Sequence, residues 1–142
     1  MPPDKDFSHR TVIQKLGLAA HQRVELKGDL GADLRADVKA TLGRGFARSG
    51  ELDGAVVLVE SVEQASEVLR RYRPRLRDSG YLWLVTRKRG HDTYVNQMAL
   101  VPEAKRHGLI DNKTCSIDEG RSAIRFVVPR ALRKAAASRS AA

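Results

Sequence analysis

The chain has 142 residues, with 26 Lys and Arg against 17 Asp and Glu, a formal charge of +9, and 42% hydrophobic residues of which few are aromatic. That length makes one domain with one core, filled mainly by aliphatic side chains, and the charge favours polyanionic partners or a solvated basic surface. The single cysteine, Cys115, excludes an internal disulfide and a cysteine-rich zinc site.

Residues 1–10 are polar, contain two prolines and lack the apolar stretch of a secretory signal, so they read as a disordered N-terminus of a cytoplasmic protein. Nowhere does an apolar run approach the ~20 residues of a membrane helix. A single domain is expected over residues 11–130. Ser8 is placed to cap a short helix that presents Val12, Ile13 and Leu16 on one face and stops at Gly17. In residues 23–27, Val24 and Leu26 alternate with Glu25 and Lys27, as in a short first strand that ends at Gly28-Asp29-Leu30-Gly31. Residues 33–42 set Leu34, Val38 and Leu42 at steps of four, which predicts a helix closed by Gly43. Residues 44–50 read two ways: Phe46 among small and basic residues fits a brief edge strand, and two glycines weaken that strand.

Residues 54–60 contain Ala55-Val56-Val57-Leu58-Val59, with no polar alternation, the mark of a parallel strand covered on both faces. Residues 62–73 predict a helix with Ser61 as N-cap and Ala65, Val68, Leu69 and Tyr72 on its apolar face; Pro74 marks its exit. A Ser79-Gly80 turn then leads into a second buried strand, residues 81–86, with Trp83 in its middle as a core residue. A polar loop over residues 88–93 precedes a weaker helix, residues 94–107, kinked or split at Pro102 and stopped by Gly108. Residues 112–117 and 124–129 read as strands joined by Asp118-Glu119-Gly120-Arg121, a terminal hairpin. Residues 131–142 form a basic tail of Ala, Ser, Arg and Lys without acids. The alternation of helices and strands predicts a three-layer, Rossmann-like α/β domain with a mostly parallel sheet and a C-terminal antiparallel hairpin.

The strand at 23–27 with its glycine turn, Gly54-Ala-Val-Val-Leu-Val-Glu60, the run from Leu76 to Val85 and the closing hairpin together resemble a compact S-adenosylmethionine-dependent methyltransferase fold. Closer still, Lys15-Leu16-Gly17-Leu18, Val24-Glu25-Leu26, Gly80-Tyr81-Leu82-Trp83-Leu84-Val85-Thr86 and Ser122-Ala123-Ile124-Arg125-Phe126-Val127 resemble a family of short, uncharacterised bacterial proteins, a domain of unknown function with a degenerate version of that fold.

The resemblance implies a cofactor turn at Gly28, Asp29 and Gly31, and a ribose-binding carboxylate at the end of the next strand, for which Glu51 is the candidate. Glu60 would sit on the rim where open α/β sheets bind ligands. The Asp-x-Gly-x-Gly pattern of active members is missing, and Glu60-Ser61-Val62 stands where amino-methylating enzymes carry Asn/Asp-Pro-Pro-Tyr. The expectation is therefore a non-catalytic module without a resident cofactor that binds a partner protein or a small ligand; the alternative is a divergent methyltransferase using S-adenosylmethionine.

Other chemistry has few footholds. His9, His21, His91 and His107 lack metal-ligand spacing, and only His91-Asp92, after the second buried strand, is placed as a general base. Arginines 70, 71, 73, 75 and 77 crowd one helix end, and Arg87-Lys88-Arg89 follows the strand, on the opposite rim. A further alternative is a nonspecific, salt-sensitive nucleic-acid binder using Arg130, Arg133, Lys134 and Arg139.

Overall fold

Two apolar runs without polar alternation become the centre of the sheet in the computed structural model, which describes residues 12–130 and residue 132. Strand β1 (Val24–Lys27) leads to helix α1 (Ala32–Leu42), β2 (Leu52–Leu58), α2 (Val62–Tyr72), β3 (Leu76–Arg87), the short α3 (Leu100–Arg106), and the pair β4 (Ile110–Ser116) and β5 (Arg121–Val127). The strands lie in the order β1-β2-β3-β5-β4. The first three are parallel, β5 runs antiparallel to β3, and β4 runs antiparallel to β5. This is the expected mixed sheet closed by a hairpin.

Successive side chains of a strand point to opposite faces, so the same runs supply two cores. Val57, Val59, Leu82, Leu84 and Phe126 pack beneath α2 and α3 with Leu69, Tyr72 and Leu100. Val56, Leu58, Trp83, Val85 and Ala123 pack on the other face with Leu34, Val38 and Leu42 of α1 and Leu16 of the helical turn at residues 12–16. Trp83 is fully buried, and its indole Nε1 donates to the Leu16 carbonyl over 2.7 Å, tying that turn to the sheet. In α2, Ser61 Oγ accepts from the Gln64 N–H at 3.0 Å, and Arg70 and Arg71 fill the last turn, where cations favour the helix dipole.

One open reading closes and three expectations change. Residues 44–50 form no strand: Ala47 N–H donates to the Val24 carbonyl at 2.8 Å, and the rest runs as a loop beside β1. Ser79-Gly80 does not precede the strand: β3 already begins at Leu76 opposite Leu52, and the pair lies in the irregular stretch where the register slips before Gly54 pairs with Tyr81. The Tyr81 ring lies so close over Gly54 that a Cβ there would fall 2.2 Å from it. Pro102 does not split a helix. It lies in the first turn of α3, where an N–H has no intrahelical acceptor to lose. Arg121 belongs to β5 rather than to the hairpin turn, and stands opposite Arg87. Ser8 and residues 133–142 lie outside the described residues. No helix among the described residues is long and apolar enough to cross a membrane.

Candidate functional site

Because β1, β2 and β3 are parallel, their carboxyl ends share one rim, and the turn after β1 opens there. Gly28 has φ 93° and packs against β2: a Cβ on it would sit 2.8 Å from the Leu58 Cβ. The neighbouring strand alone thus requires glycine at this position.

Asp29 projects from the turn towards the far side of the sheet. Its Oδ2 accepts from Arg87 Nη2 at 3.2 Å, and its Oδ1 lies 3.1 Å from Arg121 Nη2. Arg121 Nε also donates to the Asp29 carbonyl at 3.0 Å, and Arg121 Nη1 donates to Asp118 Oδ2 at 2.7 Å. Arg87 and Arg121 are directly opposed across β3 and β5, an arrangement that two like charges disfavour. Asp29 supplies the charge that relieves it. The Arg87 guanidinium, then the Gly31 N–H and Arg121, hold the Asp29 carboxyl below the usual carboxylate range.

Glu60, one residue beyond Val59, accepts from Thr93 Oγ1 at 2.9 Å. Thr93 Oγ1 lies 3.1 Å from His91 Nδ1, which also accepts the Thr93 N–H at 3.1 Å. Nδ1 is then an acceptor, which places the ring proton of a neutral His91 on Nε2. With its one hydroxyl proton given to Glu60, Thr93 cannot also donate to Nδ1, so the three side chains form an exposed polar cluster along the rim and not a proton relay. Among the described residues no group of three or more His, Cys, Asp or Glu is arranged to hold a metal ion.

The family model described as a protein of unknown function, DUF3052, matches residues 13–130. The chain belongs to that family. Its fold is that of the S-adenosylmethionine-dependent methyltransferases. A methyltransferase of this class from Aquifex aeolicus matches with a TM-score of 0.64 at 11% identity, over 84% of this chain and 89% of that one. Precorrin-6y C5,15-methyltransferase from Geobacter metallireducens gives 0.61 at 11% identity, over 85% and 87%. Fibrillarin from Aeropyrum pernix, solved with S-adenosyl-L-methionine natively bound, gives 0.53 at 16%, over 78% and 68%. A stretch of 65 residues is also 42% identical to the membrane-bound lytic murein transglycosylase F of Nitrosospira multiformis. It covers 46% of this chain and 13% of that protein.

The carboxylates of this DUF3052 chain do not fit the cofactor pattern that its fold implies. The strand that would carry a ribose carboxylate after α1 does not form, so Glu51 lies at the opposite rim, 3.3 Å from Arg77. Asp29 is committed to two arginines and Glu60 to Thr93. Gly31, with φ 89° and its N–H donated to Asp29 Oδ1 at 3.3 Å, shapes the entry into α1.

Of the residues singled out from sequence, Gly28, Asp29 and Gly31 meet in one turn and Glu60 lies on the same rim, whereas Arg130 follows β5 and is exposed. Arg133, Lys134 and Arg139 lie outside the described residues. Sequence reasoning missed Arg87, Arg121 and Thr93. Arg87 was legible only as the first of the basic residues after the buried strand, and it proves to be that strand's last residue; Arg121, 92 residues from Asp29, had no local signal. The two internal arginine clusters lie on opposite rims as expected, and Arg75 and Arg77 are taken up by Glu25, Glu51 and Asp53. Cys115 is buried in β4, and burial pushes its thiol up, away from nucleophilic use.

Proposed function

We propose that this DUF3052 chain is a methyltransferase-like module that does not transfer methyl groups and acts by binding a partner protein or a small ligand. The observation that carries this reading is the pinning of Asp29 between Arg87 and Arg121 across the glycine turn. A cofactor entering that turn would have to displace two guanidinium contacts from a carboxylate they stabilise, and would find no strand offering a carboxylate to its ribose. Fold is a poor guide to activity on so widely used a scaffold, and the rim residues support binding rather than chemistry.

The test is the melting midpoint of the purified chain with excess S-adenosylmethionine and, separately, with its demethylated product. Ligand at about a hundred times its dissociation constant adds roughly 2.7 kcal/mol, which moves the midpoint of a domain near this size by ~4 to 12 °C. An unchanged midpoint with both is the expected result. A shift of that size favours the second reading, a divergent methyltransferase, which the likeness to S-adenosylmethionine-dependent enzymes supports. In that reading Gly28 and Gly31 lie against the cofactor and Gly28→Val abolishes the shift.

A further inference from the structure

The sheet stops at β1, and its outer edge is only partly covered. Arg23 O accepts from the Asp53 and Gly54 N–H groups at 2.9 and 3.2 Å, so the odd-numbered residues of this strand turn their backbone towards β2. The even-numbered ones face outward: Val24 O accepts from Ala47 N–H at 2.8 Å, and Gly28 O accepts from Arg35 Nη2 at 3.3 Å. Between these two covered positions, the same alternation aims the Leu26 N–H and C=O at the open edge. They form the floor of a cleft of about 520 Å³. One wall is α1, with Arg35 and Lys39; the other is the loop at residues 45–48, with Phe46 and Arg48.

Among the described residues, the cations of this cleft lack counter-ions. Arg35, Lys39 and Arg48 are exposed, and neither Lys39 nor Arg48 pairs with an acid among the described residues. Glu25, which also borders the cleft, is turned away: it accepts from the Tyr72 hydroxyl and lies 3.0 Å from Arg75 Nη2. The Arg35 guanidinium lies 5.7 Å from the centre of the half-buried Phe46 ring and so occupies one of its faces.

We propose that this cleft binds an acidic peptide segment in extended conformation, laid along the outside of β1. An extended backbone presents alternating N–H and C=O groups, which is what the open Leu26 pair requires, and peptides commonly add to sheet edges in this way. Side chains that alternate towards α1 meet Arg35 and Lys39, so acidic residues at every second position match the wall. A nucleic acid satisfies this surface less well: its backbone offers no such alternation, and Phe46, covered by Arg35, is not a stacking platform. The proposal rests on the reading of the chain as a binding module and names its partner.

The test uses the full chain and a short fluorescent peptide in which glutamate alternates with valine, followed by anisotropy. Two further probes are the same peptide N-methylated along the backbone face that would meet Leu26, and a single-stranded oligonucleotide of equal charge. Lys39→Glu and Arg48→Glu, both exposed, are each expected to weaken peptide binding about tenfold or more, and backbone methylation is expected to weaken it similarly. Wild-type affinity in the charge-reversed chains, equal binding of the methylated peptide, or tighter binding of the oligonucleotide at this same cleft overturns the proposal. Failure with the peptide while the midpoint stays unresponsive to S-adenosylmethionine removes this site alone; observed methyl transfer removes the underlying reading whatever the peptide does.

Discussion

Gly28→Ala separates a glycine kept for strand packing from one kept for a ligand. The backbone at Gly28 has φ 93°, a conformation that costs a residue with a Cβ roughly 1–2 kcal/mol. The new methyl would also sit 2.8 Å from the Leu58 Cβ, which belongs to a central strand and cannot swing aside as a flexible tip would. Forcing extra volume into a packed contact costs a further ~1–3 kcal/mol, so the total is ~2–5 kcal/mol. Gly43, the C-cap of α1, is the control: its φ is 66° and nothing lies within 4 Å of where its Cβ would be. Gly43→Ala should therefore cost only the backbone part, ~1–2 kcal/mol. At ~4 °C per kcal/mol for a domain of this size, the ligand-free midpoints should fall by ~8–20 °C and ~4–8 °C respectively. Urea unfolding at fixed temperature checks the same ranking through the denaturant midpoint at unchanged slope. Equal losses for the two variants would refute the argument, because the turn would then be free to move away from β2 and its glycine would need another explanation.

Other expectations test the contacts around this frame. Trp83→Phe leaves the buried Leu16 carbonyl without its indole donor and should cost ~1–3 kcal/mol, with proteolysis newly admitted at residues 12–18 as the readout. The Asp29 carboxyl is held below its ordinary value, so its contribution is present above the usual aspartate range and is lost as pH falls through the lowered value. Amide exchange at residues 28–31 should rise in that acid window, and Asp29→Asn should remove the pH dependence. Burial, aided for Tyr72 by Glu25, raises the phenols of Tyr72 and Tyr81 above the ordinary value of about 10. The stability they provide is therefore full below that value and declines as pH rises past it; a phenolate band from Tyr72 or Tyr81 appearing near the ordinary value of about 10 while the protein is still folded would contradict this.

What the sequence disclosed follows from how local each signal is. Residues 55–59 and 81–85 could be read as buried parallel strands because burial on both faces leaves an unbroken apolar run, and α2 because Ser61 and its apolar spacing lie within one helix. The Ser79-Gly80 pair misplaced the start of the strand: the chain does fold tightly there, a Gly80 Cβ falling 2.9 Å from the Arg77 carbonyl, but within a strand that has already begun at Leu76. Residues 44–50 read two ways because Phe46 suits an edge strand and two glycines weaken one; in the fold Phe46 is half-buried against the core that α1 covers, without strand pairing. The clamp on Asp29 was illegible for a different reason. Its arginines lie 58 and 92 residues away, and only the order β3-β5 brings them together.

The same geometry explains how the fold can persist while the rim departs from a cofactor site. The two cores that hold the sheet together draw on the middle of the strands, whereas the rim residues Asp29, Glu60, Arg87, Thr93 and Arg121 contribute almost nothing to that burial. Substitution at the rim is therefore little constrained by stability, and one local pressure does act there. Opposed Arg87 and Arg121 need an anion between them, and the turn after β1 is the segment whose carboxylate reaches both. An aspartate in that turn is thus explained by charge balance within the chain, without invoking a ligand. The cleft beside β1 presents the converse case, since among the described residues its cations have no acidic partner and the backbone of Leu26 faces an open edge. Charge that the fold neutralises points inward to structure; charge that it leaves unneutralised beside an unpaired strand is where a partner should be sought.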